Sequence, residues 1–298
     1  MNRRGLLLAG PALLAAPLRA ETALPPGRPP DYVERTLSEV PNAAAIGRRY
    51  WAPALNAGYV PQGLCVLGGQ VLVAAYRSRL RERNTGPSRV FRLDREGGAV
   101  LGSFPLPPEF GHPGGLDTDG RMLFVADSGR LLALDATRLE EWRSPPILAH
   151  RRVDPALGPS FLGCDGASLW FGAHRRDGAP RLVSVPVSRI MDGRDDTIGA
   201  ADARYDLPLP LHAQGAAVDR EGRLWVSASS GNQMGRLFRL DPRSGAILGD
   251  HAMPGGIEDI GGAPDGMLWA VSEAGSERWS SWNTFFPLVF EIDPAKLR

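Results

Sequence analysis

A fivefold internal repeat is the sequence feature that most constrains the fold of this chain. Each copy contains a glycine-bearing turn, then a short apolar strand, and later a second apolar strand. Turns of this kind between apolar runs predict β-hairpins, because the turn needs positive φ angles that glycine adopts without strain. The five turn-and-strand copies are Gly68–Val73, Asp119–Val125, Asp165–Phe171, Glu221–Val226 and Asp265–Ala270.

The spacing of the copies indicates the fold class. The second apolar strand of each copy ends at Asp94, Asp135, Pro186, Asp241 and Asp293, so successive ends are 41, 51, 55 and 52 residues apart. Four-stranded propeller blades repeat at roughly 40–50 residues. The sequence therefore predicts an all-β protein, a β-propeller of five four-stranded blades. Six blades are the alternative, if residues 186–210 contain a diverged one.

The fifth copy lacks a fourth strand after residue 293. Residues 48–55, ahead of the first copy, are expected to supply it, because an unpaired sheet edge would otherwise remain. We therefore divide the chain into a signal peptide at 1–20, a proline-rich arm at 21–47 and a propeller at 48–298 that this N-terminal strand closes.

The first twenty residues have the features of an export signal. Arg3 and Arg4 precede an apolar run, Gly5–Leu18, which is too short to span a bilayer, and Ala20 fits a cleavage site. The arginine pair resembles a twin-arginine signal, and a general secretory (Sec) signal accounts for the same pattern. We expect a periplasmic or secreted protein without a membrane span.

The net charge indicates which partners the chain can bind, and the cysteine positions indicate whether a disulfide can form. After residue 20 the chain has 31 basic and 33 acidic residues, a net charge of −2. No nucleic acid is expected to bind, because that requires a strongly positive surface. Cys65 and Cys164 fall on inner strands of blades that are not neighbours, so we expect two buried, unpaired thiols.

Aligning the starts of the five inner strands brings polar residues together at the axis. They are Gln62, Ser160, Gln214, Glu258 and Asp259. Residues at this position line the mouth of the central channel in propellers, where ligands commonly bind. We predict that Gln62, Ser160, Gln214 and Asp259 bind a small polar molecule there.

Two classes of function fit this ring. In the first, Glu258 and Asp259 hold Ca²⁺ or another divalent cation, and the protein is a hydrolase of the lactonase or esterase type. His112 and His212, one layer from the ring, act with Glu258 as catalytic residues, because imidazoles titrate near neutrality. In the second, the same ring binds a small ligand or a protein without catalysis.

Two further groups of residues are candidates. Tyr76, Asp127, His174, Ser229 and Glu273 fall near the ends of the middle strands and are expected at the opposite rim. The aromatic insertion at 278–286 is expected to pack over its own blade, or to present a surface to a sugar or a protein partner.

Two segments, His112–Ser128 and Gln214–Val226, resemble the repeats of the gluconolactonase/regucalcin and NHL-type propellers. The resemblance covers 59–298 as a repeat pattern. It implies a propeller with a divalent cation, often calcium, on its axis and hydrolysis of lactones or related esters. Where that group has its Glu, Asn and Asp ligands, this chain has Gln62, Gly114 and Gln214.

Two other groups show related patterns. The opening of the first blade, at Gln62 to Leu64, is similar to that of the five-bladed bacterial glutaminyl cyclases. The repeat as a whole is similar to secreted bacterial propellers with no assigned activity.

Overall fold

The five predicted repeats fold into five four-stranded antiparallel sheets arranged in a ring, as a computed structural model shows. The structure describes residues 24–139, 141, 143–194 and 197–298, so the predicted signal peptide lies outside the described residues. The prediction of an all-β, five-bladed propeller is confirmed.

The blades are built from twenty strands within the described residues. In chain order these are β1 Ile46–Trp51, β2 Tyr59–Leu67, β3 Gln70–Arg77, β4 Ser88–Asp94, β5 Val100–Pro105, β6 Gly115–Thr118, β7 Met122–Asp127, β8 Arg130–Asp135, β9 Ile147–Arg152, β10 Phe161–Cys164, β11 Ser168–Gly172, β12 Arg181–Pro186, β13 Tyr205–Pro208, β14 Ala213–Val218, β15 Leu224–Ala228, β16 Gly235–Leu240, β17 Ile247–Met253, β18 Ile257–Gly262, β19 Leu268–Ser272 and β20 Leu288–Ile292.

Four blades are sequential: β2 to β5, β6 to β9, β10 to β13 and β14 to β17. The fifth has the order β1-β20-β19-β18. The alternative of a sixth blade within 186–210 is wrong, because after Pro186 the described residues of this stretch supply only one strand, β13, which is the outer strand of the third blade. Ahead of β13 lie one α-helix, α1 (Val187–Ile190), and a 3₁₀ turn, Ala200–Asp202. The other 3₁₀ turns are Ala43–Ala45, Leu55–Ala57, Glu277–Trp279 and Pro294–Lys296.

Strand β1 is the outer strand of the fifth blade, next to β20. Its Tyr50 lies opposite Val289 in an antiparallel pair, and the Tyr50 ring stacks on Trp269 of β19 with centroids 5.8 Å apart. The strand begins and ends earlier than the predicted segment 48–55. Proline has no N–H to extend the ladder at Pro53, and a 3₁₀ turn begins at Leu55.

The inner strands β2, β6, β10, β14 and β18 contact one another in turn around the axis, and glycines allow this close approach. A Cβ atom on Gly115 would lie 2.3 Å from the backbone nitrogen of Leu162 in the next blade. A Cβ atom on Gly215 would lie 2.6 Å from the Cα atom of Asp259. A side chain at either position would therefore force neighbouring blades apart.

We expect Gly115→Ala to lower the free energy of unfolding by about 1–3 kcal/mol, the usual effect of overpacking a closed site. The matched control is Gly69→Ala, because no atom lies within 4 Å of a Cβ atom built there. Urea denaturation of both variants measures the difference. Equal stabilities would contradict the role assigned to the axial glycine.

Two further observations concern the described residues. None of their helices is long and apolar enough to cross a membrane. Cys65 and Cys164 are buried and unpaired. Burial raises the pKa of both thiols, so they remain protonated.

Candidate functional site

A cavity of about 680 Å³ lies at one end of the propeller axis and is lined by residues from all five blades. The structure brings six of the predicted site residues together in its wall. These are Gln62, His112, Ser160, His212, Gln214 and Glu258. The alignment of strand starts therefore located residues that are close together in space.

Bulges in the inner strands orient three of these side chains. The pairing of β2, β14 and β18 with their middle strands shifts register in the segments that contain Gln62, Gln214 and Glu258, respectively. A β-bulge places extra residues opposite a partner and so re-aims a side chain. Strand alternation alone does not predict which residues of these segments face the cavity.

Two carboxyl groups lie side by side in the cavity wall. Glu258 begins the inner strand of the fifth blade and Glu273 follows its middle strand, and a hydrogen bond joins the two side chains. Gln214 Nε2 donates to Glu258 Oε1 at 2.9 Å. Gln62 Nε2 and Trp279 Nε1 both donate to Glu273 Oε2, at 3.0 and 2.7 Å. Both carboxyl groups are thus held in fixed positions.

This Glu258–Glu273 pair retains a proton at neutral pH. Burial raises the pKa of Glu273 to about 7. Burial, together with the negative charge of Glu273, also raises the pKa of Glu258 well above its usual range. Because one group keeps its proton while the other ionises, the pair can donate a proton at one oxygen and accept one at another.

His112 is fixed in a single tautomer. Its Nδ1 lies 2.6 Å from the carbonyl oxygen of Asn84, which can only accept, so Nδ1 carries the proton and Nε2 is the basic nitrogen. The ring stacks on Tyr76, with centroids 4.6 Å apart, and the backbone N–H donates to Asp127 Oδ2 at 2.7 Å. Burial lowers the pKa of His112 to about 4, which differs from the expected titration near neutrality. The imidazole is therefore neutral at pH 7.

The second set of predicted residues lies at the same end as the ring. The prediction that Tyr76, Asp127, His174, Ser229 and Glu273 face the opposite rim is wrong. His174, Ser229 and Glu273 line the cavity, and the other two contact a residue that lines it. The reason is the antiparallel pairing of the blade, which places the end of each middle strand beside the start of its inner strand.

Asp259 does not line the cavity, although it was predicted to bind a ligand and a metal. It is fully buried beneath the ring. Its Oδ2 accepts the backbone N–H groups of Leu64 at 3.0 Å and Leu116 at 2.9 Å. The side chain therefore joins the fifth blade to the first and second, and it is unavailable to a ligand.

The residues present do not fit a divalent cation. Ca²⁺ takes roughly six to eight oxygen ligands, whereas the carboxyl groups of the cavity, Glu258 and Glu273, accept amide and indole N–H groups and bond each other. Across the described ranges, no three His, Cys, Asp or Glu side chains are arranged to hold a metal ion. The calcium ion that the family resemblance implies has no suitable ligand set here.

An aromatic loop forms one wall of the cavity, and the N-terminal arm holds it. Trp279 and Trp282 both line the cavity, and their rings stack with centroids 4.5 Å apart. From the arm, Arg35 donates to the carbonyl oxygens of Ser280, Trp282 and Asn283 at 2.7–3.0 Å. The wall is therefore fixed by contacts that lie outside the cavity.

A second depression, of about 770 Å³, lies beside the hairpin turns of the second, third and fourth blades. Trp170 and Tyr205 stack in it with centroids 5.6 Å apart. It contains none of the ring residues. The axial cavity is the stronger candidate site, because it draws polar side chains from every blade and contains the carboxyl pair.

Comparison with known proteins finds similarity of fold alone. No protein-family model and no curated protein matches the sequence. Among solved structures, the chain is similar to a PQQ-bound aldose sugar dehydrogenase from Streptomyces coelicolor (14% identity over 78% of this chain and 94% of that one, TM-score 0.45). It is also similar to a protein of unknown function from Bacteroides caccae (12%, 79% of each chain, TM-score 0.46) and to a chain of the mitotic checkpoint complex (17%, 89% of this chain and 74% of that one, TM-score 0.41). Similarity this low says nothing about ligands or reactions.

Proposed function

We propose that the axial cavity binds a small polar molecule and that this is the principal function of the propeller. The observation that carries the proposal is the Glu258–Glu273 pair, two buried carboxyl groups held together at the wall of a cavity large enough for a ligand. Burying carboxyl groups is unfavourable, and such perturbed groups in a cleft favour a binding or reactive site over a packing role.

The remaining lining supports the same proposal. Gln62, Ser160, Gln214 and Ser229 supply amide and hydroxyl groups, which give donors and acceptors in several directions. His212 has a φ of 61°, and a non-glycine residue in this region is strained unless its surroundings fix it. Strain of this kind is common where a side chain must be presented to a ligand.

A thermal-shift panel of small polyols, amino acids, hydroxy acids and lactones tests the proposal. A ligand at a hundred times its Kd adds about 2.7 kcal/mol to the free energy of unfolding, so a true ligand raises Tm by several degrees. Ser160→Phe fills the cavity and should abolish the rise, while Ser144→Phe, on an exposed loop, should not. A rise that Ser160→Phe leaves intact would place binding elsewhere.

A second candidate function, hydrolysis of lactones or esters, is favoured by the shared proton of the carboxyl pair. The ionised carboxylate takes a proton from water as the water oxygen attacks the carbonyl carbon. The proton held by the other carboxyl passes to the carbonyl oxygen or to the leaving alkoxide. No metal takes part in this scheme.

We expect turnover of a lactone or aryl-ester panel to fall at least about 100-fold in Glu258→Gln and in Glu273→Gln. Each substitution removes one of the two carboxyl groups that act as general base and general acid. Activity in the wild type should persist in EDTA. Turnover that EDTA abolishes would contradict the metal-free scheme, and turnover unchanged in both variants would assign hydrolysis to another site.

We also propose that the protein acts outside the cytoplasm, in the periplasm or as a secreted protein. The support is the arrangement of Arg3, Arg4 and the apolar run Gly5–Leu18. Cell fractionation of the full chain, with N-terminal sequencing of the exported form, tests it.

A further inference from the structure

The axial cavity carries more positive than negative charge. Among its described lining residues, Arg81, Arg176 and Arg278 are cationic, while Glu258 and Glu273 are the acidic ones. Because the acidic pair retains a proton, it contributes at most about one negative charge at neutral pH. The electrostatic balance of the cavity therefore favours an anion.

Arg278 is a buried cation whose hydrogen-bond partners are neutral. Its side chain is 5% exposed and donates to the hydroxyl of Tyr76, to Asn84 Oδ1 at 2.8 Å and to the carbonyl oxygen of Arg81 at 2.8 Å. Its Nε is buried and has no hydrogen-bond partner among the described residues. A buried guanidinium usually pairs directly with a carboxylate. The charge of Arg278 acts on Glu273 and lowers the pKa of that carboxyl, but no salt bridge to Arg278 occurs in the described part of the chain.

The adjoining surface suits the carbon skeleton of a small molecule. The Arg278 guanidinium lies 4.3 Å from the ring centroid of Trp279, and Trp282 extends the aromatic wall. Because Arg35 of the arm ties this loop through its backbone carbonyls, the cationic and aromatic groups are preorganised. Preorganisation reduces the entropy lost on binding.

We propose that the cavity takes a small organic oxyanion, a carboxylate or a phosphate monoester. Arg278 binds the anionic end with Arg81 and Arg176 at the rim, and the Glu258–Glu273 pair bonds the uncharged polar end. This inference rests on the proposed ligand-binding function and specifies the chemical class of the ligand.

Isothermal titration at pH 7 with matched probes tests it. The carboxylate arm compares succinate with succinamide, and the phosphate arm compares glucose 6-phosphate with glucose. We expect at least one anion to bind at least tenfold more tightly than its uncharged counterpart, and added NaCl to weaken that binding. The arm that responds identifies the type of oxyanion.

Substitutions of the arginines test whether these residues cause the preference for anions. Arg278→Gln should reduce affinity for the anion at least tenfold, and Arg278→Lys should recover part of the loss. Because Arg278 is buried, Arg278→Gln could fail to fold. The exposed rim variants Arg81→Gln and Arg176→Gln then provide the test, and each should reduce affinity for the anion several-fold. Arg243→Gln, on an exposed turn at the opposite end of the propeller, is the matched control.

The outcomes separate the two proposals. Uncharged probes that bind as tightly as the anions, with affinity lost in Ser160→Phe and unchanged in the arginine variants, would overturn the anion inference and leave ligand binding in place. If no anion or uncharged probe binds, and the wider panel also gives no rise in Tm, both proposals fail.

Discussion

Replacing Asp259 with alanine is expected to lower the free energy of unfolding by about 2–6 kcal/mol. The side chain accepts the N–H groups of Leu64 and Leu116, which belong to the inner strands of two other blades. Each buried N–H left without an acceptor costs about 1–3 kcal/mol.

Asp259→Asn is the matched control, since it retains one oxygen at the same position. We expect it to keep both N–H contacts and to remain within about 1 kcal/mol of the wild type. Urea denaturation of the three proteins provides the comparison. If alanine and asparagine are equally stable, the carboxyl oxygen does not hold the blades together and Asp259 must have another role.

The second large effect is the contribution of Asp117 to stability, which is lost as the pH rises from about 4 to about 7. Burial raises the pKa of Asp117 from 3.8 to about 7, so across this window the folded state keeps a proton that the unfolded chain has released. An acid whose pKa is higher in the folded protein than in the unfolded chain stabilises the fold. This contribution is complete at pH values below the unfolded-state pKa, and it is lost as the pH rises to the folded-state pKa. At about 1.4 kcal/mol per pKa unit, Asp117 alone removes about 4 kcal/mol across the window.

Asp117→Asn isolates this contribution, because the amide cannot ionise. Asp117 accepts the N–H groups of Thr118 and Cys164, and asparagine retains one acceptor oxygen. At pH 4 the variant is expected to be about 1 kcal/mol less stable than the wild type, and at pH 8 it should be more stable. Stability curves that run parallel from pH 4 to pH 8 would show that Asp117 ionises normally in the folded state.

The glycine-containing turns and the apolar strands that follow them were sufficient to predict the propeller architecture. The turns at Gly120 and Gly222 have φ angles of 90° and 74°, which is why glycine recurs there and why those hairpins could be read from the sequence. The third blade was harder to delimit. Its outer strand β13 follows an irregular stretch after Pro186 that shows no strand periodicity, so the sequence left a sixth blade open.

The candidate site was only partly predictable. The ring residues could be aligned because each occurs six to eight residues before the glycine of a recognisable turn. That Glu258 faces the cavity while Asp259 is buried beneath it could not be predicted, because a bulge rather than strand alternation decides which of the two side chains faces the cavity. Glu273 was named as a candidate but assigned to the opposite rim; pairing rules would have placed it in the cavity, since antiparallel strands bring the end of β19 beside the start of β18. The lowered pKa of His112 depends on its burial beside Tyr76, which only the fold reveals.

Closure of the fifth blade by β1 has a consequence for association between molecules. The β1 strand is joined to the edge of β20 by hydrogen bonds, and nothing in that pairing requires the two strands to belong to one chain. At high concentration, or when the arm is loosened, β1 of a second molecule can occupy the same edge and link two propellers by reciprocal strand exchange. Because Arg35 holds the arm to the aromatic loop, this contact opposes such exchange.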